Sequence, residues 1–223
     1  GKSYIELEFD KEYEILCQQG LEMERKFMFT DPLAFESAAY LARKRISKDS
    51  LGVLLSKASE TVRKSEIGKR TREFIRNDQL QLSDKFKPIR CFDVNMNKFN
   101  WNSVKGKKFT IIVGGLWCMT HGMDNSLPKQ YFESIKEKYG DSHQLILYVY
   151  CNDSEEMKEE IKEFGLEGYT VISDFKGRAT PFTSIYNCQA TPTCIYIDAE
   201  GIIVNIMEGL DPNYLENEFI LKQ

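Results

Sequence analysis

The chain has 223 residues, enough for one large domain or for an ordinary domain with an extension. Its composition, 42% hydrophobic and 29% charged, is typical of a globular protein with a sizeable core. The formal net charge of −4 argues against nucleic acid or an anionic membrane as the main partner. No apolar run approaches the roughly 20 residues of a membrane span. Because the chain begins with Gly1 rather than methionine, the lack of a signal peptide excludes no compartment.

The first part of the chain is predicted to be a helical extension over residues 1–84. Residues 11–29 place apolar side chains at helical spacing, and Asp31 is expected to cap a helix that starts at Pro32. Further helices are predicted over residues 33–44, 50–62 and 66–75.

Residues 41–85 are basic. They contain 12 Lys and Arg against 6 Asp and Glu, a local charge of +6 by subtraction. This charge fits either a basic docking face or the solvated side of helices packed on the next domain, and the second is the commoner use of charged helices.

The pattern changes near Phe86, and residues 85–223 are predicted to form an α/β domain. Strands are predicted over residues 89–94, 109–113, 145–151, 169–172, 194–197 and 202–207. Helices are predicted from about residue 118 to 139, with Pro128 kinking or interrupting it, and over residues 154–164, 177–187 and 212–221. Ser154 is the expected cap of the acidic helix that follows it. Strands separated by helices indicate a sheet covered on both faces, and the last two strands indicate an antiparallel hairpin.

Six cysteines are present, and none forms a C-x-x-C pair. Cys151 and Cys194 lie at apolar runs, where cysteine usually acts as a small core side chain. The histidines are His121 and His143, and no cluster has metal-ligand spacing. We therefore expect no metal site and no cofactor.

Several short motifs in the second part resemble the TlpA/ResA-like branch of bacterial thiol-disulfide oxidoreductases, often labelled AhpC/TSA-type. The matching segments are Asn102 to Lys107 before the central strand, Trp117-Cys118 at the start of a W-C-x-x-C loop, Ala190 to Thr193 at a cis-proline loop, and Ile195 to Asp198 with Gly201 at the hairpin. Asp174 and Tyr186 also fall where this family has similar residues. The resemblance implies a thioredoxin-like fold, a central mixed sheet flanked by helices, preceded by the helical extension.

The loop departs from the family at its second cysteine. It reads Trp117-Cys118-Met119-Thr120-His121, so that His121 stands at the position of the resolving cysteine. In such a fold Cys118 would start a helix, where unpaired N–H groups favour the thiolate, and His121 would lie on the same helix face. His121 would then assist Cys118 in catalysis or simply fill the site.

Ordinary dithiol turnover needs a second thiol, and three outcomes follow. Cys118 could act as a monothiol, with glutathione-like or protein thiols completing the exchange. Cys188 or Cys194, which flank Pro192, could resolve the intermediate, although both fit core positions better. Alternatively, the activity is lost and the fold serves as a redox-inactive binding module. Thiol peroxidase activity is a weaker alternative, because the residues before Cys118 lack the P-x-x-x-T-x-x-C setting.

The resemblance also assigns substrate-binding residues and partners. Trp117, Thr191 and Pro192 would form the substrate surface, with a cis bond before Pro192 exposing the backbone of Thr191 to an extended peptide. The expected partners are protein thiols and disulfides or an extended peptide of a partner protein, with no nucleic acid. Relatives work in the bacterial cell envelope or periplasm, so membrane contact is expected only through a lipid anchor outside this sequence.

Overall fold

The computed structural model describes residues 14–15, 18–19, 22, 25–45, 48–114 and 126–209. These residues fall into two compact units, one ending at Asn77 and the other beginning at Asp78. No helix in these ranges is long and apolar enough to cross a bilayer.

The first unit is helical, as the sequence predicts. Its helices are α1 (Pro32–Arg45), α2 (Lys48–Lys57), α3 (Glu60–Lys64) and α4 (Glu66–Arg76). Asp31 caps α1, because its Oδ1 accepts hydrogen bonds from the N–H groups of Leu33 and Ala34 at 2.9 and 3.0 Å. The core of this unit consists of Phe35, Ala39, Leu51, Leu55, Ala58, Val62 and Phe74.

The helix predicted over residues 50–62 is divided in two. The Ser59 hydroxyl accepts a hydrogen bond from the N–H of Val62 and starts α3, while the guanidinium of Arg63 donates to the carbonyl of Ala58 at 2.6 Å. Ser65 then ends α3 and starts α4, because its hydroxyl accepts from the N–H of Gly68. A serine side chain that bonds to the backbone favours such a boundary over a continuous helix.

The second unit is built on a mixed five-stranded sheet. Its strands are β1 (Lys108–Val113), β2 (His143–Tyr148), β3 (Thr170–Ile172), β4 (Thr193–Ile197) and β5 (Ile203–Glu208). Their spatial order is β3-β2-β1-β4-β5, in which β1, β2 and β3 are parallel while β4 is antiparallel to both β1 and β5. The helices of this unit are α5 (Leu127–Tyr139), α6 (Ser154–Glu163) and α7 (Pro181–Ile185).

Strand β1 is central and buried on both faces, which explains its continuous apolar run. Ile112 belongs to one core cluster with Phe132 of α5 and Met157 of α6, whereas Ile111 belongs to the other with Phe182 of α7. The sheet is therefore covered on both sides, as the alternation of strands and helices predicts.

Several predicted elements differ in detail. Residues 89–94 form no regular strand; only Phe92 makes isolated bridges, to Lys98 and Ser173, because a turn begins at Asp93. Residues 177–187 are divided at Thr180, whose hydroxyl accepts from the N–H of Phe182 and starts α7. The cap of α6 is Asp153 rather than Ser154. Pro128 lies in the first turn of α5, where proline is compatible with a helix. The predicted segment 212–221 lies outside the described residues.

Candidate functional site

The carboxyl end of β1 meets the start of β4. Val113, the last residue of β1, pairs with Thr193, so the residues just beyond each of them are neighbours. The N–H of Gly114 donates to the carbonyl of Tyr148 at 3.0 Å, which fixes the chain where it leaves the sheet. A Cβ placed on Gly114 would lie 2.9 Å from the Cβ of Thr191 and 3.5 Å from the Cα of Pro192. Gly114 also has φ of +143°, so glycine suits this position for both space and backbone conformation.

The peptide bond between Thr191 and Pro192 is cis, the geometry that the family resemblance implies. The carbonyl of Pro192 accepts from the N–H of Gly209 at 2.8 Å, and the hydroxyl of Thr193 donates to the carbonyl of Ala190 at 2.7 Å. Pro192 is buried and Thr191 is half-buried. Hydrogen bonds of the residues on both sides of Thr191 thus hold the loop in place.

Residues 115–125, which carry Trp117, Cys118 and His121, lie outside the described residues. The described chain ends at Gly114 on one side and resumes at Ser126, which precedes α5, on the other. The structure therefore places Thr191 and Pro192 of the expected site beside Gly114, and it does not test the arrangement of the cysteine and the histidine.

A buried polar cluster lies at the same edge of the sheet, formed by the last residue of β2 and by residues that follow β3. The Tyr148 hydroxyl donates to Asp174 Oδ1 at 2.7 Å and lies 2.7 Å from the hydroxyl of Thr180. The hydroxyl of Thr180 in turn donates to Asp174 Oδ2 at 2.9 Å. The Asp174 side chain is only 3% exposed, and Lys176 Nζ lies 3.9 Å from its Oδ2.

Burial, with the Asp174 charge second, raises the pKa of Tyr148 well above its ordinary value, so Tyr148 remains a neutral donor to the carboxylate. The sequence marks Asp174 as a family-like residue but gives no sign of its partners. In the sequence Tyr148 is one of several residues of an apolar strand, so the hydropathy pattern could not identify it as a hydrogen-bond donor.

The cysteines of the described ranges are Cys91, Cys151, Cys188 and Cys194, and each is a buried thiol that forms no disulfide. Burial raises the pKa of Cys91 and of Cys194 to about 12, and it raises that of Cys151 as well. The Cys194 thiol donates to the carbonyl of Gly209 at 3.3 Å, and Cys188 is only 2% exposed. This supports the interpretation of Cys188 and Cys194 as core residues rather than resolving thiols.

Within the described residues no group of three or more His, Cys, Asp or Glu side chains is arranged to hold a metal ion. His143, one of the two histidines, is buried, and its Nε2 lies 2.7 Å from the hydroxyl of Thr110. Burial, and next the charge of Lys108, lower the pKa of His143 to about 4, so its ring is neutral near pH 7.

Comparison with known proteins identifies the architecture. No family model matches the chain, and no curated protein matches its sequence. Among solved structures, the C-terminal domain of a protein assigned as a thiol-disulfide oxidoreductase from Bacteroides thetaiotaomicron matches at 16% identity and a TM-score of 0.53, covering 63% of this chain and 95% of that one. A protein assigned as a thiol:disulfide interchange protein DsbE from Chlorobium tepidum also matches at 16% identity and a TM-score of 0.53, with coverages of 64% and 97%.

A thiol-disulfide oxidoreductase from Bacteroides fragilis matches at 15% identity and a TM-score of 0.51, covering 63% of this chain and all of that one. The chain has a thioredoxin-like fold. The mixed five-stranded sheet flanked by helices is shared with these structures, and the helical N-terminal part precedes it. At these identities the likeness shows the fold, while the chemistry has to be argued from this chain's own residues.

Proposed function

We propose that this protein catalyses thiol–disulfide exchange on protein cysteines through Cys118. The observation that supports this most is the contact between Gly114 and the Thr191–Pro192 loop. It shows where the chain leaves β1, and the segment 115–125 that follows contains a single cysteine, Cys118. A cysteine that follows the central strand beside such a loop would be within reach of a peptide bound at Thr191.

The proposed chemistry is that of a monothiol. Cys118 loses its proton, with His121 accepting it or stabilising the resulting anion. The Cys118 thiolate attacks one sulfur of a substrate disulfide, a new S–S bond forms, and the other substrate sulfur leaves as a thiolate. A second thiol, from a protein or a small molecule of the glutathione type, then attacks the mixed disulfide and releases Cys118.

An external thiol is needed because the internal candidates are unsuited to the task. The nucleophile in exchange is a thiolate, and a pKa of about 12 keeps Cys194 protonated near pH 7. Cys188 is buried among apolar side chains. Trp117, Thr191 and Pro192 are proposed to position the substrate, with the Thr191 backbone bonding an extended peptide as an added strand. No cofactor enters this scheme.

The second candidate is a redox-inactive binding module, favoured by the missing second cysteine of the loop. The Thr191–Pro192 loop would then hold a partner peptide without chemistry. The TlpA/ResA-like, AhpC/TSA-type resemblance adds the bacterial cell envelope or periplasm as the proposed compartment for either function.

Reactivity of Cys118 separates the two. The experiment follows iodoacetamide labelling of each cysteine by mass spectrometry as a function of pH, in the unmodified protein and in His121→Ala. The buried Cys91, Cys151 and Cys194 serve as slow internal references. We expect Cys118 to label with an apparent pKa well below the free-cysteine value of about 8.5, and His121→Ala to raise it. Slow labelling of Cys118 with an unshifted pKa in both proteins would favour the binding module.

A further inference from the structure

A basic segment connects the start of the second unit to β1. Residues 85–108 contain seven Lys and Arg against one Asp, a charge of +6 by subtraction, in a chain whose net charge is −4. The same segment carries Phe86, Phe92, Phe99 and Trp101. The segment is therefore positively charged in a chain of negative net charge, and it also carries aromatic side chains.

The segment lines two adjoining cavities, which we call the Trp101 groove. The first, of about 470 Å³, is lined by Ile89, Arg90, Lys98 and Phe99 among others, and the second, of about 460 Å³, by Lys85, Phe86, Lys105 and Phe109 among others. Pro88, Trp101 and Asn102 border both cavities. Trp101 thus lies between the two halves of the groove.

The floor of the groove is preformed. Trp101 is held by a hydrogen bond from its Nε1 to the carbonyl of Ile89 at 2.7 Å. The rings of Phe86 and Phe99 both lie 4.9 Å from the Trp101 ring, centroid to centroid. A ligand would therefore meet a fixed apolar floor and would not have to order it, which lowers the cost of binding.

The rim of the groove carries exposed cations. Lys85, Arg90, Lys98 and Lys105 are exposed, and no ion pair joins any of them to a carboxylate within residues 48–114 and 126–209. Some exposed lysines elsewhere are paired, for example Lys64 with Glu60 at 2.6 Å. Asp198 and Glu200 border the second cavity, so the uncompensated charge is concentrated at the first, around Arg90 and Lys98.

The groove lies at the other end of the sheet from the Thr191–Pro192 loop. Phe109, which lines the second cavity, pairs with Ile197, whereas Val113 pairs with Thr193 next to the loop. Phe109 and Val113 are four positions apart in β1, a span of about 13 Å. The groove is therefore a separate site and does not depend on the chemistry proposed for Cys118.

We propose that the Trp101 groove binds an acidic peptide segment of a partner protein, with carboxylates over Arg90 and Lys98 and one apolar side chain against the aromatic floor. The charge of the rim selects an anionic partner. A single-stranded nucleic acid fits less well, because it needs an open ring face for base stacking, and the Trp101 ring already packs against two other rings. The cavities instead suit an inserted side chain.

The test is a selection with a phage-displayed library of random dodecapeptides on the full chain. It is run in parallel on the double variant Arg90→Glu/Lys98→Glu and on the matched control Lys64→Glu/Lys129→Glu, whose lysines are exposed and lie outside the groove. Circular dichroism melting confirms that all three proteins are folded. We expect enrichment of peptides that combine Asp and Glu with an apolar residue, on the unmodified protein and the control.

An enriched peptide is then synthesised with a fluorescent label and its binding is measured by anisotropy. The Kd should rise by about tenfold in Arg90→Glu/Lys98→Glu and by less than about twofold in the control. Equal binding to all three proteins, or selected peptides without acidic residues, would overturn the proposal. So would tighter binding of a labelled 12-nucleotide oligo(dT) or of phosphatidylglycerol vesicles. Self-association in sedimentation that the double variant abolishes would assign the groove to a second copy of the chain instead.

Discussion

Gly114 and Thr191 approach each other so closely that no Cβ fits between them: a Cβ on Gly114 would lie 2.9 Å from the Cβ and 3.0 Å from the Cγ2 of Thr191. The end of β1 and the loop before β4 are thus packed directly together, with glycine as the spacer. This contact fixes the distance between the Thr191–Pro192 loop and the end of β1.

Gly114→Ala should lower the stability of the protein by about 1–3 kcal/mol, because the new methyl group must displace Thr191 in a packed region. Thermal and urea unfolding followed by circular dichroism measure the loss. The control is Gly106→Ala, which has φ of +78° but no heavy atom within 4 Å of the added Cβ. It measures what a positive φ costs an alanine where the added Cβ meets no neighbouring atom. Equal losses in the two variants would show that the Thr191 contact contributes nothing.

Tyr148→Phe should lower stability by about 1–3 kcal/mol, since it removes a donor from the buried carboxylate of Asp174. A double-mutant cycle with Asp174→Asn measures the coupling, with unfolding free energy as the readout. We expect the two substitutions to be non-additive by at least about 0.5 kcal/mol. Additive effects would mean that the hydroxyl and the carboxylate act independently despite the 2.7 Å contact.

His143 should make stability fall as the solution is acidified. Its pKa in the folded protein is about 4, against 6.5 for the free side chain, so between these values only the unfolded chain takes up the proton. The contribution of His143 to the free energy of unfolding is fully present above pH 6.5, and about 3 kcal/mol of it is lost by pH 4. Unfolding at pH 7.5 and pH 4.5 is compared between the unmodified protein and His143→Gln. The variant should lose less stability on acidification, and an identical loss would contradict the buried neutral state of His143.

Glu160 should make stability fall as the pH rises, the opposite of the effect of His143. Burial, followed by the charges of Glu156 and Glu163, raises its pKa from 4.5 to about 7, and its Oε2 lies 4.0 Å from the thiol of Cys151. The folded state therefore binds the Glu160 proton more tightly than the unfolded chain does. The stability that Glu160 contributes in its protonated form is lost as the pH rises through 7. Glu160→Gln should be more stable than the unmodified protein at pH 8, by about 1–2 kcal/mol after allowance for partial exposure.

The matched control for Glu160 is its exposed neighbour on the same helix, Glu159, changed to Gln. This substitution removes the same charge from α6 without altering a buried group. If Glu159→Gln raises stability at pH 8 as much as Glu160→Gln does, the gain comes from the overall acidity of α6 and not from the position of Glu160.

The sequence predicted the five strands within two or three residues at most ends, because β-branched and apolar runs mark buried strands clearly. It also predicted the antiparallel β4–β5 hairpin from the turn at Asp198 to Gly201. It failed where a polar side chain bonds to the backbone: Ser59, Thr180 and Asp153 each start a helix at a place that periodicity alone does not show. Such signals are local and were available in the sequence.

The contacts among the residues around the candidate site were harder to predict from the sequence. The family resemblance pointed to Thr191 and Pro192, and the structure places them beside the end of β1. The contact of Thr191 with Gly114 and the bond of Tyr148 with Asp174 depend on strand register, which a single sequence does not specify. Trp117, Cys118 and His121 remain sequence-based predictions.

The pairing of Val113 with Thr193 has a consequence for synthesis of the protein on the ribosome. Thr193 follows Val113 by about 80 residues, and β4 is the strand that seats the Thr191–Pro192 loop. A nascent chain that ends before residue 190 can already contain β1, β2 and β3 with the Cys118 segment, but it lacks the Thr191–Pro192 loop. Contacts between residues so far apart in sequence form late, because the intervening chain must first be ordered. The pairing of β1 with β4, which positions the Thr191–Pro192 loop, is therefore completed only near the end of translation, after Cys118 has emerged.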